Sequence, residues 1–511
     1  MNDKTLQERY LRRILNSKVY DVAIESPLEE ARALSRKLGN RFLLKREDLQ
    51  SVHSFKLRGA YNKMAQLPRA ALEKGVLAAS AGNHAQGVAL SAQRLGCKAT
   101  IVMPVTTPEI KVASVRNFGA SIVLSGDSYS DAAATAAHLV KEKDYIFIPP
   151  YDDPDVIAGQ GTVAMEILRQ NPGRLDAVFV PVGGGGFAAG VAVYVKAVRP
   201  QVKVYGVEPV DSDCMDRSLK AGRRVELPEV GLFADGVAVK KPGKITFDLC
   251  RRFLDGIVRV STDETCAAIK DIFDATRAIC EPAGALALAA AKQYAARKGK
   301  KGETYACIIS GANMNFDRIR FVSEQTEIGE KREAILECRI PEERGAFKAF
   351  IRRLGKRNVT EFNYRYFDPK RAYVFVGLSV ADRAETRRIV GQLTAAKIGT
   401  IDLSEDELAK EHIRHMVGGH TQGIHDEVAY TFEFPERPGA LMDFLETISN
   451  RWNITLFHYR NHGADHGKVL VGLQVPPRER KAFMQTLKKL GYAFRDVSSN
   501  PAYRLFLGNR G

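Results

Sequence analysis

The sequence predicts two architectures in series: an α/β domain on a mainly parallel sheet, then two ferredoxin-like α+β repeats. Three observations carry this. From Arg41 to Gly311 short apolar runs alternate with helical patterns, the signature of strands joined by crossover helices. A chain of 511 residues exceeds what one hydrophobic core can organise. Beyond residue 332 the chain repeats itself.

In the first part, Arg41–Lys45, Gly75–Ala79, Lys98–Met103, Ala177–Val182, Val202–Val207 and Thr304–Ile309 read as strands. Gly82–Leu95, Glu109–Phe118, Tyr129–Lys141 and Ala188–Ala197 read as helices between them. Several strands finish in Gly, Ser or Asn, so ligands are expected at the carboxyl ends of the sheet. This part is expected to span residues 1–320, followed by a charged connector over 321–332.

The repeat is read from four matches. Pro341-Glu-Glu-Arg-Gly-Ala recurs as Pro435-Glu-Arg-Pro-Gly-Ala, Asn358-Val-Thr as Asn453-Ile-Thr, Phe362-Asn-Tyr-Arg as Phe457-His-Tyr-Arg and Val376-Gly-Leu as Val471-Gly-Leu. The offset is 94 residues for the first match and 95 for the others. Each copy reads as strand, Gly-turned helix and strand hairpin, a βαββαβ unit over 333–407 and again over 427–501.

Composition narrows the function classes. With 45% hydrophobic and 27% charged residues the chain is that of an ordinary globular protein. No run approaches a membrane span, and Met1 to Tyr20 lacks the apolar core of a signal peptide, so a cytoplasmic protein with no cleaved targeting segment is expected. Seven cysteines without a CxxC pair suit reduced thiols. The formal charge of +16 is spread along the chain without a nucleic-acid signature, so no nucleic-acid partner is expected.

Four motifs carry chemistry. Ser54-Phe-Lys-Leu-Arg-Gly-Ala makes Ser54 a helix N-cap with Lys56 in the first turn, where the helix dipole favours a neutral, nucleophilic amine. A solvated first-turn lysine fits the same residues. Ser80-Ala81-Gly82-Asn83-His84 follows a strand and opens a helix, a nest of N–H groups for a carboxylate or simply a turn; His84 reads as packing rather than as a base. Gly183, Gly184, Gly185 and Gly186 follow a buried strand and suit a phosphate cradle; with Glu208 further on they also fit a dinucleotide fingerprint. Thr304–Asn313 ends a strand in Ser310-Gly, at the sheet's ligand end or as a plain turn. Seven of ten histidines lie between His412 and His466, but Gly463 and Gly467 break any helix through His458, His462 and His466, so no metal site is expected.

In this order and at these separations the four motifs resemble the threonine dehydratase (threonine ammonia-lyase) family of fold-type II pyridoxal-phosphate enzymes, whose catalytic domain is tryptophan-synthase-β-like. The C-terminal pair resembles the ACT-like regulatory domains of the long biosynthetic form. The likeness covers nearly the whole chain, with no departure at the motif positions. It implies pyridoxal 5'-phosphate as cofactor, with Lys56 the catalytic Schiff-base lysine and Phe55 beside the ring. It implies that Gly183 to Gly186 hold the phosphate, Asn83 the ring's 3-hydroxyl and Ser310 the pyridine nitrogen, with Glu281 near the cofactor. Ser80, Ala81, Gly82, Asn83 and His84 are then the substrate-binding residues. The implied reaction removes water and ammonia from L-threonine to give 2-oxobutanoate, with L-serine a second substrate. The resemblance further implies inhibition by isoleucine, opposition by valine and a homotetramer. Effector sites are expected at the turns Gly345-Ala-Phe347 and Gly439-Ala-Leu441, with Tyr364 and Tyr459 as walls. A nicotinamide-dependent dehydrogenase and a non-catalytic amino-acid sensor are the readings from other classes.

Overall fold

The computed structural model describes residues 2–316, 318–329, 333–341, 349–350, 353–355, 359–364, 371–413, 425–435, 444, 447–448, 451–452, 454–460 and 466–507. The chain divides into two compact units, residues 1–322 and 323–511. The helix Arg318–Gly329 occupies most of the stretch expected as a connector.

The first unit holds two sheets, where the sequence pattern suggests one. The larger has six strands in the order Leu28–Glu30, Arg41–Arg46, Thr304–Ile309, Ala177–Pro181, Lys203–Pro209, Gly256–Val260. All of its neighbours pair in parallel except the first two. The smaller is wholly parallel, in the order Ser121–Leu124, Ala99–Met103, Val76–Ala79, Ile146–Phe147. Central strands such as Ala177–Pro181 and Thr304–Ile309 are buried along their whole length, because crossover helices cover both faces of a parallel sheet. That is why they read as unbroken apolar runs.

A buried charged cluster ties the helix that begins at Lys56 to the larger sheet's second strand and to helix Pro154–Gln170. Helix Lys56–Ala65 packs on helix Pro154–Gln170, and Arg58, fully buried, bonds Glu47 at 2.8 Å and Glu166 at 2.6 Å. Lys45 completes the set on Glu166 at 2.6 Å, and Tyr20 donates to the same carboxylate at 2.9 Å. Two cations thus balance two anions out of water. Removing one leaves an uncompensated buried charge, at about 3–5 kcal/mol, so the helix that begins at Lys56 is held in one position.

The second unit contains the expected repeats. In the first copy the sheet order is Val359–Tyr364, Arg371–Ser379, Glu333–Pro341, Gly399–Asp402, all antiparallel, with helix Arg383–Ala395 between the last two strands in the chain. The second has Ile454–Arg460, His466–Gln474, Glu427–Pro435, Ala493–Asp496, with helix Arg480–Leu490. Even the irregularities repeat: the register shifts between Val359 and Glu361, and 95 residues on between Ile454 and Leu456. Matched motifs pair with each other, Phe362 opposite Val376 and Phe457 opposite Val471. The copies share one apolar core, in which Ile335, Phe375 and Leu403 of the first meet Ala429, Leu470 and Val497 of the second.

Candidate active site

Lys56, Ser80 to His84, Gly183 to Gly186 and Ser310 all lie where a strand of the first unit ends or a helix begins. The chain reaches Lys56 through a sharp turn: His53 adopts φ +52°, a left-handed conformation uncommon outside glycine. Ser54 then bridges Gly311, and the Phe55 N–H donates to the Ser310 carbonyl at 3.1 Å. The helix therefore starts at Lys56 itself, with Phe55 in the cap position. The expectation that Ser54 caps the helix is wrong. Its backbone is drawn into the bridge, and its buried hydroxyl has no hydrogen-bond partner among the described residues.

Lys56 Nζ donates to the Pro150 carbonyl at 3.2 Å. Loss of surrounding water lowers its pKa from 10.5 to about 8, against the pull of the Glu281 charge. Burial is the main cause of the lowering. A much larger share of the amine is therefore neutral near pH 7 than in an unperturbed lysine.

Strand Ala177–Pro181 runs through the four glycines into helix Gly186–Val198. Gly185 sits at φ +95°, where side chains are strained. A Cβ on Gly184 would overlap the Tyr151 ring, and one on Gly186 would lie 2.8 Å from the Tyr151 carbonyl. Thr246 fixes the loop by donating to the Gly184 carbonyl at 2.6 Å. The unsatisfied N–H groups of the following helix open at this loop, as anion binding requires. Phe187 in its first turn stacks on Phe55, centroids 3.9 Å apart and 11° from parallel, which ties the cradle to the start of the Lys56 helix.

Across the cleft, Ser80 to Gly82 form the turn between strand Val76–Ala79 and helix Asn83–Leu95, and Ser80 Oγ accepts from the Gly82 N–H at 3.2 Å. His84 is buried, with Nε2 2.8 Å from the Ile148 carbonyl. Burial and the nearby Lys56 charge lower its pKa to about 3, so the ring is neutral. Asn83 donates to Glu281 at 2.7 Å. Burial and the Asp235 charge raise Glu281 to about 7, partly opposed by hydrogen bonds from Asn83 and the Asn313 backbone. Burial would raise Asp235 as well, but Lys111 at 2.8 Å and Arg318 at 3.6 Å hold it at about 2.

Sequence reasoning passed over Tyr151, Thr246, Lys111 and Asp235, which sit far along the chain from the motifs they support. Asn313 lay inside a quoted motif without a role. Glu208, the acid of the dinucleotide alternative, is fully buried and accepts from the N–H groups of Met215 and Asp216, both at 2.8 Å. Both of its oxygens are engaged by N–H groups in the first turn of helix Cys214–Ala221. Gly345, Phe347, Gly439 and Leu441 lie outside the described residues. Tyr364 and Tyr459 end and nearly end corresponding strands. Among the described residues no group of His, Cys, Asp or Glu is arranged to hold a metal, and no helix is long and apolar enough to cross a membrane. All seven cysteines are free thiols.

A family model described as pyridoxal-phosphate dependent enzyme matches residues 19–311. One described as the C-terminal regulatory domain of threonine dehydratase matches twice, over 324–413 and 418–507. The chain is 58% identical over 501 residues to L-threonine dehydratase biosynthetic IlvA of Burkholderia multivorans, covering 98% of this chain and 99% of that protein. The Escherichia coli K12 protein of the same description is 52% identical over 499 residues, covering 98% and 97%. Among solved structures, the processed form of threonine deaminase isoform 2 from Solanum lycopersicum matches with a TM-score of 0.63 at 51% identity, over 63% of this chain and 89% of that one. Maize serine racemase matches with a TM-score of 0.58 at 29% identity, over 62% and 96%.

Proposed function

The chain belongs to the threonine dehydratase family of pyridoxal-phosphate-dependent enzymes, and from that premise we propose that it converts L-threonine to 2-oxobutanoate and ammonia, the first step towards isoleucine. The observation that supports this reading is Lys56, an amine with a lowered pKa whose helix start is tied to the glycine loop by the Phe55–Phe187 stack and whose charge reaches His84 at the start of helix Asn83–Leu95. The loop suits a phosphate, since Gly185 lies at φ +95° and Cβ atoms on Gly184 or Gly186 would collide with Tyr151, so only glycines let the backbone N–H groups take this close-wrapped course.

When bound, pyridoxal phosphate supplies the electron sink that lets the substrate lose its α-proton and then its β-hydroxyl. In this proposal Lys56 holds the cofactor through its amine and takes the α-proton on Nζ when released. The turn Ser80-Ala81-Gly82 and the first N–H groups of helix Asn83–Leu95 orient the substrate carboxylate. Gly183 to Gly186 hold the phosphate, Phe55 flanks the ring, and Asn83, backed by Glu281, faces the ring oxygen. Ser310 offers the ring nitrogen a neutral hydroxyl, which does not hold it protonated as a carboxylate would. L-Serine is a second, poorer substrate, since a pocket fitted to the threonine methyl gains about 1–3 kcal/mol from it.

The second unit is proposed to bind isoleucine as inhibitor and valine as its opponent, within a homotetramer in the cytoplasm. Support comes from the paired regulatory-domain match and the shared core of the two repeats.

The test is covalent. Borohydride reduction of the yellow holoprotein, followed by peptide mapping, is expected to fix the cofactor on Lys56 and to fail in Lys56→Ala. Label on another lysine, or equal labelling in the variant, would refute the assignment.

A further inference from the structure

Asn83 is expected to offer an N–H to the cofactor, yet an asparagine amide can turn either its oxygen or its nitrogen to a ligand. The surrounding contacts decide which. Asn313 Nδ2 is 2.8 Å from the Val52 carbonyl and 2.7 Å from Asn83 Oδ1. A backbone carbonyl only accepts, so the Asn313 atom facing Val52 is the nitrogen. Its two hydrogens are then spent, one on Val52 and one on Asn83. Asn83 must therefore turn its oxygen to Asn313 and its nitrogen away. One Asn83 hydrogen goes to Glu281 Oε1 at 2.7 Å, which leaves one N–H to offer. The Asn313 backbone N–H also bonds the Glu281 carboxyl, so one residue holds both neighbours of Asn83. Gly311 makes room for this arrangement, because a Cβ there would lie 2.7 Å from Glu281 Oε1.

We propose that Asn313 is a positioning residue that locks the Asn83 amide so that it presents an N–H, and never its oxygen, to the cofactor's ring oxygen. This rests on the cofactor reading above. Asn313→Asp is the informative change, because it keeps the size of the side chain and removes both donors. Asn83 then loses the donor that fixes its oxygen and faces an acceptor instead; flipping relieves that contact, at the cost of its bond to Glu281, and turns its oxygen towards the ring oxygen. A residue that merely fills space would tolerate this substitution.

The measurement is the pyridoxal phosphate dissociation constant of the full-length apoprotein, read from the visible absorption band, with thermal melting to establish folding. Asn313→Asp is expected to weaken binding about tenfold in the parent and by less than about twofold in an Asn83→Ala background, the non-additivity that a shared hydrogen-bond network gives. If Asn313→Asp does not fold, Asn313→Ala is read through the same cycle, with a smaller loss expected in the parent and none with Asn83→Ala. Equal losses in both backgrounds, or no loss in the parent, would overturn the proposal. Wild-type protein that binds no pyridoxal phosphate would overturn the cofactor reading itself, a result distinct from either.

Discussion

At the scale of single residues, the chemistry depends on what burial does to Lys56. Its pKa of about 8 means that uptake of pyridoxal phosphate by the apoprotein should speed up with rising pH and level off above about 8, since only the neutral amine attacks the aldehyde. An ordinary lysine would keep gaining towards about 10.4. The Glu281 charge raises Lys56, so Glu281→Gln should move the plateau to lower pH. Stopped-flow absorbance across pH reads both. An unchanged profile in the variant would show that Glu281 does not act on this amine. Ser310 gives the second expectation: Ser310→Asp would hold the ring nitrogen protonated and should slow elimination about tenfold, some 1.4 kcal/mol of barrier, while side transamination rises. Product analysis by chromatography with an unchanged rate and ratio would place Ser310 away from that nitrogen. Lys56, Asn83 and Ser310 could be proposed from the sequence because each sits at a strand end or helix start within a local motif. The Asn313 contact to Asn83 was not, since the two stand 230 residues apart and only the fold brings them together.

Among the elements, the glycine loop is the one whose shape admits least change. Gly184→Ala would force its methyl group into the Tyr151 ring, and overpacking of this kind costs about 1–3 kcal/mol. Cofactor binding should weaken about tenfold, and Tyr151→Ala should restore part of it; equilibrium titration of the single and double variants decides. No recovery in the double variant would mean that the damage lies in the loop backbone. The central strands were read to within a residue or two at most ends, because burial on both faces leaves an apolar run with sharp limits. Edge strands such as Ser121–Leu124 and Gly256–Val260 escaped, being only partly buried and short. The division into two sheets escaped for another reason: both are parallel and wound with helices, so their alternation in sequence is identical. Ser54 misled because its hydroxyl and position suit a cap, while the pull of Gly311 on its backbone is non-local.

For the whole molecule, every residue proposed for elimination lies in the first unit, and the repeated second unit is the part to which regulation is assigned. Isoleucine should therefore inhibit the intact chain through a coupling of about 1–3 kcal/mol between effector and substrate, with valine relieving it. Steady-state rates at fixed threonine against each amino acid give the result, and indifference to millimolar isoleucine would remove the regulatory assignment. The repeat itself was legible to the residue, because its 95-residue offset reappears in the paired strands and in their matching bulges. The measurement that bears most directly on the catalytic reading is release of 2-oxobutanoate from L-threonine by the intact protein, before and after its pyridoxal phosphate is stripped and restored. Release that vanishes with the cofactor and returns with it is the expected result. Release that persists without the cofactor, or none in its presence, would contradict it.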